Sequence, residues 1–141
     1  ALQRWGAADM EALLAEAETW AAGTRLEQRA IAAALCEPAL LRDEATAATV
    51  LDLLDEITAT VAGAADRRDE AFRVLRRALG YCWSVAVAAA PEPGRALMER
   101  WLDVDDPDVR RIMRNNLSTP RLTRMDAGWT AAQFARLEKK E

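Results

Sequence analysis

Apolar residues recur at spacings of three and four along most of the chain, the mark of helices that each bury one face. Leu13, Leu14, Ala17 and Trp20 form the first stripe. They predict a helix that starts near Asp9 as N-cap and runs to Ala22, with Gly23 behind it. Thr24-Arg25-Leu26-Glu27 then reads as a capping box, in which the Thr hydroxyl and the Glu carboxylate satisfy each other's orphan backbone N–H groups. The helix it opens carries Leu26, Ala30, Ile31, Ala34 and Leu35, and Pro38 stops it. A third helix fits 43–62, with Val50, Leu51, Leu54 and Ile57 inward, Asp52, Asp55 and Glu56 outward, and Gly63 closing it.

The next helix, about 67–89, is the most apolar of all. Asp66 is its expected cap, and Asp69 and Glu70 complement the dipole of its first turn. Phe72, Leu75, Leu79, Cys82 and Ala86 share one face while Val74, Ala78, Tyr81 and Val85 fill a second, which predicts a central helix. Gly80 in its interior costs about 1 kcal/mol relative to Ala, which implies a close helix contact or a kink there. Pro91-Glu92-Pro93-Gly94 is read as a breaker, followed by a short helix with Leu97, Met98, Trp101 and Leu102. Asp106-Pro107 is a strong helix start. Val109, Ile112, Met113 and Leu117 form the stripe of that helix, and Arg110, Arg111, Arg114 and Asn115 lie outside it. Pro120 ends it, a non-helical stretch is expected over 120–125, and Asp126 caps a last helix with Trp129, Phe134 and Leu137 inward.

These elements repeat. The segment from Trp20 through Leu26 and Ile31 to Leu35 aligns with that from Trp101 through Val109 and Met113 to Leu117, and Phe72 to Leu79 occupies the place between. The period is about 40 residues, typical of stacked helical repeats. The expected fold is all-α, an α-α superhelix of three antiparallel pairs (about 9–36, 43–89 and 94–117) with a capping helix over 127–139. One pair cannot bury its own apolar face, so neighbours must stack.

Composition agrees. The 141 residues suit one domain, 51% are hydrophobic, and six Gly with five Pro are few for a protein of many short strands. Trp5, Trp20, Trp83, Trp101 and Trp129 supply bulk among the alanines; Trp5 and Trp129, near the ends, are expected to be the more exposed. No apolar run is long enough for a bilayer, so no membrane partner is expected. The chain begins Ala-Leu-Gln-Arg-Trp, without the charged and apolar regions of a signal peptide. That start fits Met removal or a fragment of a longer chain, the latter favoured by its helical look. Cys36 and Cys82 read as buried free thiols of a reducing compartment, which places the chain in the cytoplasm. Absence of His removes His-dependent triads and HExxH zinc sites, and two Cys cannot build a structural zinc site; neither a metal nor a cofactor is expected.

At Asp106-Pro107-Asp108-Val109-Arg110 followed by Leu117, the chain resembles the Asp…Val-Arg…Leu signature of HEAT repeats. The resemblance implies a structural ladder in which Asp106, Arg110 and Arg29 pair between neighbouring repeats. A narrower likeness is to the C-terminal half of the HEAT-like DNA alkylation repair (alkylpurine glycosylase) proteins. It rests on Trp20, Leu26-Glu27-Gln28-Arg29-Ala30-Ile31, Arg77-Ala78-Leu79-Gly80-Tyr81 and Ala90-Pro91, in that order. In that family the chemistry uses an upstream Trp-Asp-x-x-Asp-like segment, which this chain lacks. Leu51-Asp52-Leu53-Leu54-Asp55 has the carboxylate spacing but no aromatic neighbour, so catalysis is not expected.

Charge supplies the candidate surfaces. Residues 1–66 carry four Arg against twelve acids, and residues 67–141 carry fifteen Lys and Arg against eleven. Arg73, Arg76 and Arg77 share a helix side with Gly80 and Ser84, with Trp83 at the margin. Arg110, Arg111 and Arg114 lie one repeat on, and Arg121 and Arg124 flank the stretch beyond. Two readings stand side by side: ion pairing between repeats, with Asp52, Asp55 and Glu56 available to neutralise the arginines, or a surface for an anionic partner. The expected function is a non-catalytic scaffold that binds another protein, and the alternative is a nucleic-acid-binding relative of the alkylation repair proteins.

Overall fold

The computed structural model describes residues 10–139, all of whose regular elements are helices. They are α1 (Met10–Ala21), α2 (Arg25–Leu35), α3 (Glu44–Ala62), α4 (Glu70–Ala89), α5 (Pro91–Leu102), α6 (Pro107–Leu117), α7 (Pro120–Met125) and α8 (Ala127–Lys139). The expected N-cap Asp9 and the aromatic Trp5 lie outside the described residues.

Most starts follow from local chemistry. The Thr24 hydroxyl accepts from the Glu27 N–H while the Glu27 carboxylate accepts from the Thr24 N–H, the capping box the sequence indicates. Asp43 caps α3 and Asp106 caps α6. Three expectations are corrected. The cap of α4 is Asp69, whose carboxylate accepts from Ala71 N–H, whereas Asp66 accepts from Arg68 N–H in the preceding turn. Pro91 does not lead into a loop: it stands at the first position of α5, where its missing N–H leaves no bond unmade. For the same reason Pro120 begins the short helix α7, so 120–125 is helical.

The helices form two layers. In one, α1 packs on α3, α3 on α5 and α5 on α8; in the other, α2 packs on α4 and α4 on α6. Successive pairs α1/α2, α3/α4 and α5/α6 bridge the layers, and α7 with α8 covers the end of α6. Contacts advance in step along the second layer. Arg25 lies over Phe72 and Cys82 reaches Ala32, then Arg76 meets Asp108 and Ser84 meets Asn116, so α2, α4 and α6 run parallel.

A single apolar cluster runs from Leu13 to Leu137. Helix α4 is its axis, with Phe72, Leu75, Leu79, Trp83, Val85 and Val87 buried. Two glycines allow close approach. A Cβ on Gly94 would lie 2.8 Å from Val87 Cα, so α5 presses its first turn against the backbone of α4. A Cβ on Gly80 would lie 3.1 Å from Asn115 Nδ2, which places α6 against the glycine and identifies the close contact implied by its position. Among the described residues no buried side-chain polar atom lacks a partner. Among the described residues no helix is long and apolar enough to cross a membrane.

Candidate binding surface

The layers carry opposite charge. Helices α1, α3 and α5 hold nine carboxylates against Arg95 and Arg100, while α2, α4 and α6 hold eight arginines against Glu27, Glu70 and Asp108. Those three acids all sit in first turns, where a helix dipole favours them. The acidic excess of the first layer comes from α1 and α3, which hold seven carboxylates and no arginine, whereas α5 balances Glu92 and Glu99 with Arg95 and Arg100.

Several acids expected to neutralise the arginines stand on the other layer. Asp52 and Glu56 are exposed on α3, and Asp55 accepts from the Trp101 indole N–H at 2.7 Å. The predicted arginines divide into two groups. Arg76 is held by Asp108 at 2.9 Å, Arg110 pairs with Asp105, and Arg73 reaches Glu70 only at 4.0 Å along its own exposed helix face. Arg29, Arg77 and Arg111 are exposed and make no ion pair among the described residues. Arg110, Arg111 and Arg114 line a cleft of about 480 Å³ with Pro107 and Asn115. Arg124 is exposed at the end of α7.

Trp83 is corrected. It is fully buried, and its indole N–H donates to the Thr58 hydroxyl at 3.0 Å between the layers, so it offers nothing to a partner. Trp129 is half-buried and donates to the Glu99 carboxylate at 2.8 Å.

The expected ladder has different partners. Asp106 binds Arg67, a loop residue before α4, at 2.8 Å rather than Arg110, while its Oδ1 also accepts from the N–H groups of Asp108 and Val109. Arg67 reaches Asp108 as well, at 2.9 Å, and donates to the carbonyls of Ala62 and Ala64. Burial by itself would raise the Asp106 carboxyl, but Arg67 and the two backbone donors outweigh it and hold it below the usual range. The same hydrogen bonds, first to Asp106 and then to Asp108, raise Arg67. Among the described residues Arg29 makes no ion pair; Arg25 instead binds the Thr60 hydroxyl at 2.8 Å and the Thr60 carbonyl at 3.2 Å. Arg67 and Arg25 sit in no motif that periodicity would single out, because their roles depend on which neighbouring elements meet.

Among the described residues two large apolar side chains are exposed, Leu26 at 60% and Tyr81 at 48%, and both stand on the basic layer. Tyr81 borders a groove of about 500 Å³ along the seam of α2 and α4. Ala33, Cys36, Ala78 and Cys82 line it together with Arg29 and Arg121, and the Arg121 guanidinium lies 5.3 Å from the Tyr81 ring centre. Both thiols are free and buried. The hydrogen bond to Cys82 and then burial push the Cys36 thiol up, so it stays protonated and makes a weakly polar floor. Glu37 also lines the groove.

Among the described residues no cluster of His, Cys, Asp and Glu is arranged to hold a metal ion. Comparison with family models, with curated proteins and with solved structures finds no match to this chain.

Proposed function

We propose that the chain is a non-catalytic, HEAT-like scaffold that binds another protein, and that the basic layer of α2, α4 and α6 receives an acidic segment of that partner. The observation that carries this reading is the coincidence on one face of unpaired arginines with the exposed side chains Leu26 and Tyr81. Arg and Tyr are the side chains over-represented where proteins meet, because each combines broad contact with polar ends. An aliphatic Leu26 adds something that a phosphate backbone has no use for. The buried free thiols support a reducing setting such as the cytoplasm.

A second reading has its own support. The cleft where Arg110, Arg111 and Arg114 converge suits a phosphate, since guanidinium groups bind phosphate in a fixed two-point geometry. On that reading the layer follows a nucleic-acid backbone.

Anisotropy titrations of the full chain with fluorescein-labelled polyglutamate and with labelled duplex, at about 50 and 200 mM salt, separate the two. Saturable binding of polyglutamate, lost in an Arg77→Glu, Arg111→Glu double variant, is the expected result. Tighter binding of the duplex, falling steeply with salt, favours the second reading. Binding of neither contradicts both.

A further inference from the structure

Resting on the protein-binding reading, we propose that the groove between α2 and α4 is the specificity site of the basic layer, and that it takes an apolar side chain flanked by carboxylates in an extended segment of the partner. The floor of Ala33, Cys36, Ala78 and Cys82 offers small or weakly polar surface without a charge to desolvate. A volume of about 500 Å³ lies within the range of ligand-binding pockets and exceeds what one aliphatic side chain fills, so the adjoining backbone enters with it. The flanks supply charge complementarity. Arg29 on α2 and Arg121 on α7 both line the groove, and each can receive a carboxylate next to the anchored residue. The Tyr81 ring, beneath Arg121, presents a flat wall between floor and cation. Glu37 also lines the groove and repels a carboxylate close to it, so the acidic residues of the segment lie nearer Arg29 and Arg121.

The test uses three fluorescein-labelled probes with the full chain: an acidic hexapeptide with one central Leu between aspartates, the same peptide with Ala for Leu, and a single-stranded oligonucleotide of similar charge. The Leu peptide is expected to bind at least about ten-fold more tightly than the Ala peptide, the scale of burying an aliphatic side chain. Ala78→Leu, which fills the floor, is expected to remove that preference while leaving the Ala peptide bound. Arg121→Ala is expected to weaken both peptides and to serve as a second variant should Ala78→Leu fail to fold, as judged by its helical circular dichroism. Arg100→Glu, on the opposite layer, is expected to change nothing. Equal affinity for the Leu and Ala peptides overturns the groove proposal and leaves the basic layer intact as a docking face. Tighter binding of the oligonucleotide than of either peptide, or binding of no acidic probe at all, overturns the protein-binding reading with it.

Discussion

Arg67 reaches from the loop before α4 to the N-cap carboxylate of α6, closing on Asp106 at 2.8 Å. The contact joins the second helix pair to the third. Asp106 is 7% exposed and holds both the guanidinium and the first-turn N–H groups of its own helix, so one carboxylate sets a start and a seam. Asp106→Ala removes a helix cap and leaves Arg67 facing Asp108 alone. A loss of about 2–4 kcal/mol is expected in urea unfolding, between the cost of a lost cap and that of a broken buried pair. Loss of less than about 0.5 kcal/mol would show that solvent replaces the link.

Acid should reveal the same group. The Asp106 carboxyl is depressed in the folded chain, so its contribution to stability is complete above the unfolded carboxylate range near about 3.9. That contribution falls away as pH drops through the lower folded value. Asp106→Asn should therefore narrow the gap between stability at neutral pH and stability below about pH 4, measured by urea midpoints across that range. An unchanged pH profile would remove Asp106 from the acid response.

Asn116 makes the next seam. Buried on α6, its amide accepts from the backbone N–H of Ser84 at 2.8 Å and donates to the Leu79 and Ile112 carbonyls. Asn116→Leu removes three hydrogen bonds made by a buried amide, two of them tying α6 to the backbone of α4, and is expected to cost about 2–3 kcal/mol. Asn115→Ala, at the exposed neighbour, should cost under about 0.5 kcal/mol. Equal effects at the two positions would mean that side-chain volume, and not the hydrogen bonds, governs the contact.

Gly94 tests the close approach of α5. An added Cβ would meet Val87 Cα at 2.8 Å, a backbone atom that cannot swing aside. Gly94→Ala is expected to lower stability by about 1–3 kcal/mol despite the better helix propensity of Ala. A stabilised variant would show that α5 is free to slide on α4.

Most of the fold was legible because each helix carries its own punctuation. The capping box at Thr24, the start at Asp106-Pro107 and the apolar stripes of α3 and α4 are local signals, read within a few residues. The misjudged positions were those with two competing uses. Proline both ends helices and begins them, so Pro91 and Pro120 read as breaks along the sequence although each occupies a first turn. Asp66 and Asp69 both suit a cap, and only the turn geometry chooses between them.

The candidate surface was less legible. Arg77 and Arg111 were found because they stand opposite apolar stripes of their own helices. Trp83 was placed at a margin because a helical wheel knows nothing of the neighbouring layer, whose Thr58 receives the indole N–H. The groove joins residues from α2, α4 and α7, and its Arg121–Tyr81 contact spans helices far apart in sequence. No pattern within one helix encodes such a meeting.

The central claim is that partners bind the arginine layer and leave the acidic layer in solvent. The most direct measurement is arginine modification by phenylglyoxal, read by mass spectrometry, with and without saturating polyglutamate. Slower modification of Arg29, Arg77 and Arg111 is expected in the complex, with Arg100 on the opposite layer unchanged. Protection of Arg100 to the same degree, or no protection at Arg77 and Arg111, would contradict it.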